Sequence, residues 1–121
     1  MNYHIATQNG YIEIQVIGEH TIADLIMIYR ELRRHPSYLA GMNRLWDFQS
    51  ATMSNVSVDD LVRLALESAE YSPEGSRVAI LVSEDADLDR LRQAGKPVRD
   101  ALTASTRLFQ DSEAAREWVA G

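Results

Sequence analysis

Hydrophobic and polar residues alternate at the start of the chain. Tyr3 and Ile5, then Tyr11, Ile12, Ile14, Val16 and Ile17, form two β-rich runs separated by Gln8-Asn9-Gly10, and Asn-Gly between such runs is a strong hairpin signal. In the second run Ile12, Ile14 and Val16 alternate with Glu13 and Gln15, which predicts a strand with one buried and one wettable face, ending at Gly18. From Thr21 the period changes to 3.6 residues: Ile22, Leu25, Ile26, Tyr29 and Leu32 form the stripe of an amphipathic helix over about 21–35. Thr21 is placed as its N-cap with Asp24 completing a short-armed capping box. Arg33, Arg34 and His35 complement the helix C-terminus, and Pro36 ends it.

A loop over 36–43 leads to Arg44-Leu45-Trp46-Asp47-Phe48, short and bulky enough for a buried strand. Ser57, with Asp60 three residues on, caps a second helix whose stripe is Val58, Leu61, Val62, Ala65 and Ala69, punctuated at its end by Pro73 and Gly75. The run Arg77–Ser83 is apolar without interruption, the pattern of a strand covered on both faces, and it is expected at the centre of the sheet. From Asp85 to Leu102 the composition is helical, with Leu88, Leu91, Val98 and Leu102 on a rough stripe, but Gly95-Lys96-Pro97 predicts a break. Thr106–Gln110 reads as a last strand, before a closing helix capped by Asp111 and packed through Ala114, Ala115, Trp118 and Val119. The order β-β-α-β-α-β-α-β-α predicts an α/β fold, a mixed sheet with helices packed on it.

Composition narrows the function. A chain of 121 residues, 45% hydrophobic and 25% charged, suits one domain over residues 1–121 with a sizeable core. The absence of cysteine excludes a disulfide framework, a thiolate metal site and a cysteine nucleophile. With 18 acidic against 12 basic residues and a net charge of -6, no clustered positive face for nucleic acid or anionic membrane is expected. No secretory signal and no apolar stretch of the roughly 18 residues needed to span a bilayer is present, so the expected compartment is the cytoplasm and membrane insertion is not expected.

Each candidate for chemistry has a simpler structural explanation. His4, His20 and His35 show no metal-ligand spacing and read as surface or capping histidines. The acidic run from Glu84 to Asp89 lacks the Gly and Glu of a calcium loop, with Arg90 and Lys96 at those places, and suits a helix N-terminus. No Gly-x-Ser-x-Gly elbow surrounds Ser50, Ser54 or Ser57, and no Gly-rich phosphate loop is present. Asp47 would serve as a general base if it opened into a cleft, but a strand carboxylate bonded to nearby backbone explains it as well. Trp46, Phe48, Trp118 and Tyr29 lie on the apolar phase of their elements and read as core, while Met42 and Met53 flank a strand where they would line a partner-facing patch. No catalytic, cofactor-binding or metal-ligating residue is therefore expected, and no cofactor.

The segments Gly18-Glu19-His20-Thr21 with Asp24-Leu25, Leu45–Phe48, Ser57–Leu61, Arg77–Val82 and Arg107–Asp111 with Glu113-Ala114 and Trp118 together resemble the SpoIIAA-like, or STAS/SEC14-like, family of small bacterial proteins. The resemblance spans nearly the whole chain and implies a four- or five-stranded mixed sheet, a fold shared in outline by anti-sigma-factor antagonists and lipid-carrying Sec14-type domains. Such antagonists carry an Asp-Ser-Ser-Gly-like phosphorylation stretch where this chain has Asn55-Val56-Ser57-Val58, without the Asp or the Gly, and the aromatic-Gly pair of the third long helix is replaced by Leu88-Asp89 before Arg90. No phosphorylation switch is expected. The leading expectation is a non-enzymatic interaction module that docks to a protein partner or to a second copy of itself through a surface of Asp47, Met53, Ser54 and Ser57. The alternative is a carrier of a small apolar ligand or lipid, which requires an enclosed apolar cavity of several hundred Å³. An enzyme using Asp47 and a neighbouring serine is the third and weakest reading.

Overall fold

The N-terminal alternation folds as a hairpin: β1 (Asn2–Gln8) pairs antiparallel with β2 (Tyr11–Glu19), and only Gly10 of the turn, at φ +92°, uses the left-handed region. The computed structural model describes residues 2–71, 75–101 and 105–121. From β2 the chain alternates helix and strand through α1 (Ile22–Leu32), α2 (Pro36–Leu39), β3 (Asn43–Thr52), α3 (Val58–Tyr71), β4 (Arg77–Leu81), α4 (Asp85–Gly95), a 3₁₀ helix (Lys96–Ala101), β5 (Ser105–Phe109) and α5 (Ser112–Ala120). The five strands lie side by side in sequence order, with β2 to β5 all parallel. Successive parallel neighbours joined by crossovers of one hand place those crossovers on one face of the sheet. Accordingly α1, α3 and α4 pack together on one side, and α5 covers β3, β4 and β5 on the other.

The local signals explain most boundaries. Thr21 and Asp24 form a reciprocal capping box, the Thr21 Oγ1 accepting from the Asp24 N–H and the Asp24 carboxylate from the Thr21 N–H at 2.9 Å. The Asp111 carboxylate accepts from the Glu113 and Ala114 N–H groups at the start of α5. The helical stretch after Asp85 ends at Gly95 and tightens into the 3₁₀ helix, at the expected break. Gly75 follows α3 at φ +80°, whereas Pro73 and Leu102 lie outside the described residues.

Three expectations are corrected. The first helix ends at Leu32, and Pro36 then opens α2 at a position where proline's missing N–H has no helical partner to lose, with the His35 Nδ1 accepting from the Ser37 N–H. β3 is twice the expected length because Ser50, Ala51 and Thr52 keep pairing with β2 past the end of β4, so ladder pairing rather than an apolar pattern extends the strand, and none of the three side chains is buried. The central strand is β3; β4 is internal but next to the edge strand β5. Its apolar run marked the covering of both faces, not its place in the order, while Arg44 and Asp47 interrupt the apolar character of the strand that is central.

The main core lies under α1, α3 and α4 and includes Ile12, Ile14, Val16, Leu25, Ile28 and Leu32. A second cluster under α5 joins Tyr11, Leu45, Ala79, Leu81, Ala115 and Val119. Each large aliphatic side chain so buried contributes about 1.5–3 kcal/mol.

Candidate functional site

Packing between the sheet and its main helical layer does not close. Strand alternation aims Arg44, Trp46 and Phe48 of β3, Val78 and Ile80 of β4 and Leu108 of β5 at the helices. Opposite them α3 presents Ala65, Ser68 and Ala69, and α4 ends in Ala94 and Gly95. Large side chains facing small ones leave a cavity of about 530 Å³. Trp46 and Phe48 stack along its floor with centroids 5.9 Å apart and planes 5° from parallel. His20, buried behind this floor, stacks on Phe48 at 5.7 Å.

One end of the cavity is polar. The Tyr29 hydroxyl donates to the Ser68 carbonyl at 3.3 Å and therefore accepts from the Tyr38 hydroxyl at 3.0 Å. Burial first, then the Tyr38 hydrogen bond, raises the Tyr29 pKa well above the ordinary tyrosine value, so it stays neutral. The Arg44 guanidinium lies 5.0 Å over the Tyr38 ring, and its Nη1 donates to the Met42 carbonyl at 3.0 Å. Its Nη2 has no hydrogen-bond partner, and no carboxylate pairs with Arg44 among the described residues. Burial lowers the Arg44 pKa, yet a guanidinium keeps its charge at any physiological pH. At the exposed rim stand Arg92, Lys96 and Thr106. A wider hollow of about 720 Å³ on the outer side of α1, around Ile26, Met27 and Arg30, is an open surface depression with no buried polar group.

The residues expected to form a docking surface are not brought together. Asp47 faces α5, on the opposite side of the sheet from the cavity: its Oδ1 accepts from the Gln49 N–H at 2.9 Å, and its Oδ2 lies 3.6 Å from Arg116, which also pairs with Glu13. Met53 is buried and lines the cavity. Ser54 and Ser57 are exposed; Ser54 shares a hydrogen bond with Thr52, and the Ser57 Oγ accepts from the Asp60 N–H at 3.1 Å. Asp47 and these serines thus do not form one constellation. Phe48 and Tyr29, expected as core, are buried, and with the half-buried Trp46 they also wall the cavity, while Trp118 packs on Phe109. The signal that could have pointed to the site is Arg44 itself, which shares the inward phase of Trp46 and Phe48 in an apolar strand. Among the described residues no three His, Asp or Glu side chains converge as metal ligands, and no helix is long and apolar enough to cross a membrane.

No family model matches the chain, and no curated protein matches it. Among solved structures, an uncharacterised protein of the DUF3478 family from Shewanella loihica PV-4, described as having a SpoIIAA-like fold, superposes with a TM-score of 0.60 over 98% of this chain and 92% of its own, at 20% identity. The fold is SpoIIAA-like. That covers the mixed five-stranded sheet and the strand-helix order together, and the hairpin followed by three strands parallel to β2 is how this chain builds a SpoIIAA-like architecture. At this identity the likeness speaks to the fold alone, so activity has to be argued from the cavity.

Proposed function

We propose that this SpoIIAA-like protein is a non-enzymatic carrier that holds a small apolar ligand between its sheet and α3. The observation that supports this reading is the cavity: about 530 Å³ falls in the range of ligand sites, and its walls are aromatic and aliphatic apart from one polar end. Apolar wall atoms that face no packing partner lose their dispersion contacts, and a ligand that enters past the exposed rim restores them. An occupant therefore stabilises the fold that receives it. Two of the four residues of the expected docking surface are buried, and Asp47 is held by Arg116 away from the cavity, so carriage has more geometric support than docking or acid-base chemistry.

The reading is tested by titrating the purified protein with the apolar fluorophore N-phenylnaphthylamine, alongside native mass spectrometry of protein taken directly from its host. Saturable binding of one fluorophore per chain is expected, weakened roughly tenfold or more in Ala65→Phe, which fills the cavity from α3. Circular dichroism confirms that the variant is folded. No saturable binding and no co-purifying mass would remove the carrier reading.

A further inference from the structure

Among the described residues the cavity lining contains three cations, Arg44, Arg92 and Lys96, and no carboxylate, in a chain with 18 acidic and 12 basic residues. Arg92 and Lys96 are exposed at the rim, where water screens them. Arg44 is different, being only 2% exposed. A charge taken out of water is held at a large cost unless a counter-charge and hydrogen bonds replace its hydration. Among the described residues Arg44 has only neutral company, the Met42 carbonyl and the face of Tyr38, and the two N–H groups of Nη2 are unused. The buried carboxylate of the sheet is treated otherwise: Asp47, with the half-buried Glu13, shares Arg116. An arginine kept at the wall of an apolar cavity without an internal acid is one whose acid comes from outside.

We propose that the ligand is an anionic amphiphile, a single apolar chain ending in a carboxylate or phosphate, whose head group pairs with Arg44 while its chain runs along Trp46 and Phe48 toward Met53. The inference rests on the carrier reading and adds the head-group chemistry to it. A guanidinium fork suits either oxyanion, because both offer two oxygens to parallel N–H donors. Tyr29, Tyr38 and Ser68 satisfy one another beside Arg44 and form the polar end of the cavity. From Arg44 to Phe48 the strand advances about 13 Å, at roughly 3.3 Å per residue, which suits a decyl chain.

The test is calorimetric titration of the full chain with decanoate, decyl phosphate and decanol, repeated with Arg44→Met, Arg44→Lys and the double variant Arg92→Gln, Lys96→Gln. The natural protein is expected to bind at least one of the two anions roughly tenfold or more tightly than decanol. The tighter of the two identifies the head group. Arg44→Met should bind all three alike, Arg44→Lys should keep part of the preference, and the rim variant should keep most of it, since exposed charges are screened. Decanol binding as tight as that of both anions would overturn the anionic ligand while leaving the carrier reading, whereas failure of all three probes to bind would remove both. A preference undiminished in Arg44→Met, or one that vanishes in the rim variant, would overturn the role of Arg44. Should Arg44→Met fail to fold, an undiminished preference in Arg44→Lys would overturn it equally.

Discussion

His20 carries a titratable ring at 1% exposure, and neither nitrogen has a hydrogen-bond partner of normal geometry. Burial lowers its pKa from 6.5; the nearby Gly18 carbonyl and the charges of Asp24 and Asp87 pull the other way without offsetting it. The folded pKa therefore lies below the unfolded one. Above pH 6.5 both states are neutral and nothing is lost; as pH falls below that value the unfolded chain takes up a proton that the folded chain resists, so stability declines. Urea midpoints should drop between about pH 7 and pH 5, and His20→Phe should flatten that slope. An unchanged slope in the variant would show that the ring titrates as freely in the fold as in the unfolded chain. Ser57 makes the simpler case, because its hydroxyl caps α3 through Asp60 and its carbonyl accepts from Leu61 at 3.1 Å. Ser57→Ala should cost roughly 0.5–2 kcal/mol in a denaturant titration, and Ser57→Gly only a few tenths. Capping at Thr21, Ser57 and Asp111 was legible because donor and acceptor sit within three residues of each other, whereas the burial of His20 and Arg44 depends on strands and helices distant in sequence.

Among the elements, the hairpin turn and the last helix meet at Gly10. Its left-handed backbone would strain any residue with a side chain, and a Cβ there would lie 3.1 Å from the Ala120 carbonyl oxygen. Gly18 shares the positive φ, at +86°, but a Cβ on it would meet nothing. Gly18→Ala should therefore cost about 1–2 kcal/mol for backbone strain alone, and Gly10→Ala more, with the C-terminal end of α5 less protected from amide exchange. Equal costs for the two would mean that α5 shifts aside without resistance. Element types followed from periodicity and caps almost throughout. The elements not legible were those fixed by their neighbours: the far half of β3, held by pairing with β2, and α2, a single turn too short to show a period.

On the scale of the whole molecule, the two sides of the sheet are packed differently. Leu45 is fully buried beneath α5, whereas Ile80 is half-buried at the cavity floor. Leu45→Ala should cost about 2–5 kcal/mol, while Ile80→Ala, which enlarges a space already present, should cost no more than about 2 kcal/mol. Chemical denaturation of both variants checks this, and a cost for Ile80→Ala as large as that for Leu45→Ala would mean that the space beside Ile80 closes in solution. Asp47 shows how one sheet separates residues that the sequence places together: one step along β3 from Trp46, it faces α5 and Arg116.

By itself the sequence determined the hairpin, the alternation of strands and helices after it, the caps and the break at Gly95, because each depends on periodicity, propensity or hydrogen bonds spanning a few residues. It also carried enough of the hydrophobic pattern to resemble the fold that the superposition then showed. Only the tertiary structure decided that β3 is central and that Asp47 turns away from Met53. It alone decided, too, that the small residues of α3 face Trp46 and Ile80 and leave room between them. A cavity is a property of what two distant surfaces fail to fill, and a stripe containing Ala65 and Ala69 reads the same in sequence whether its partner comes close or stands off.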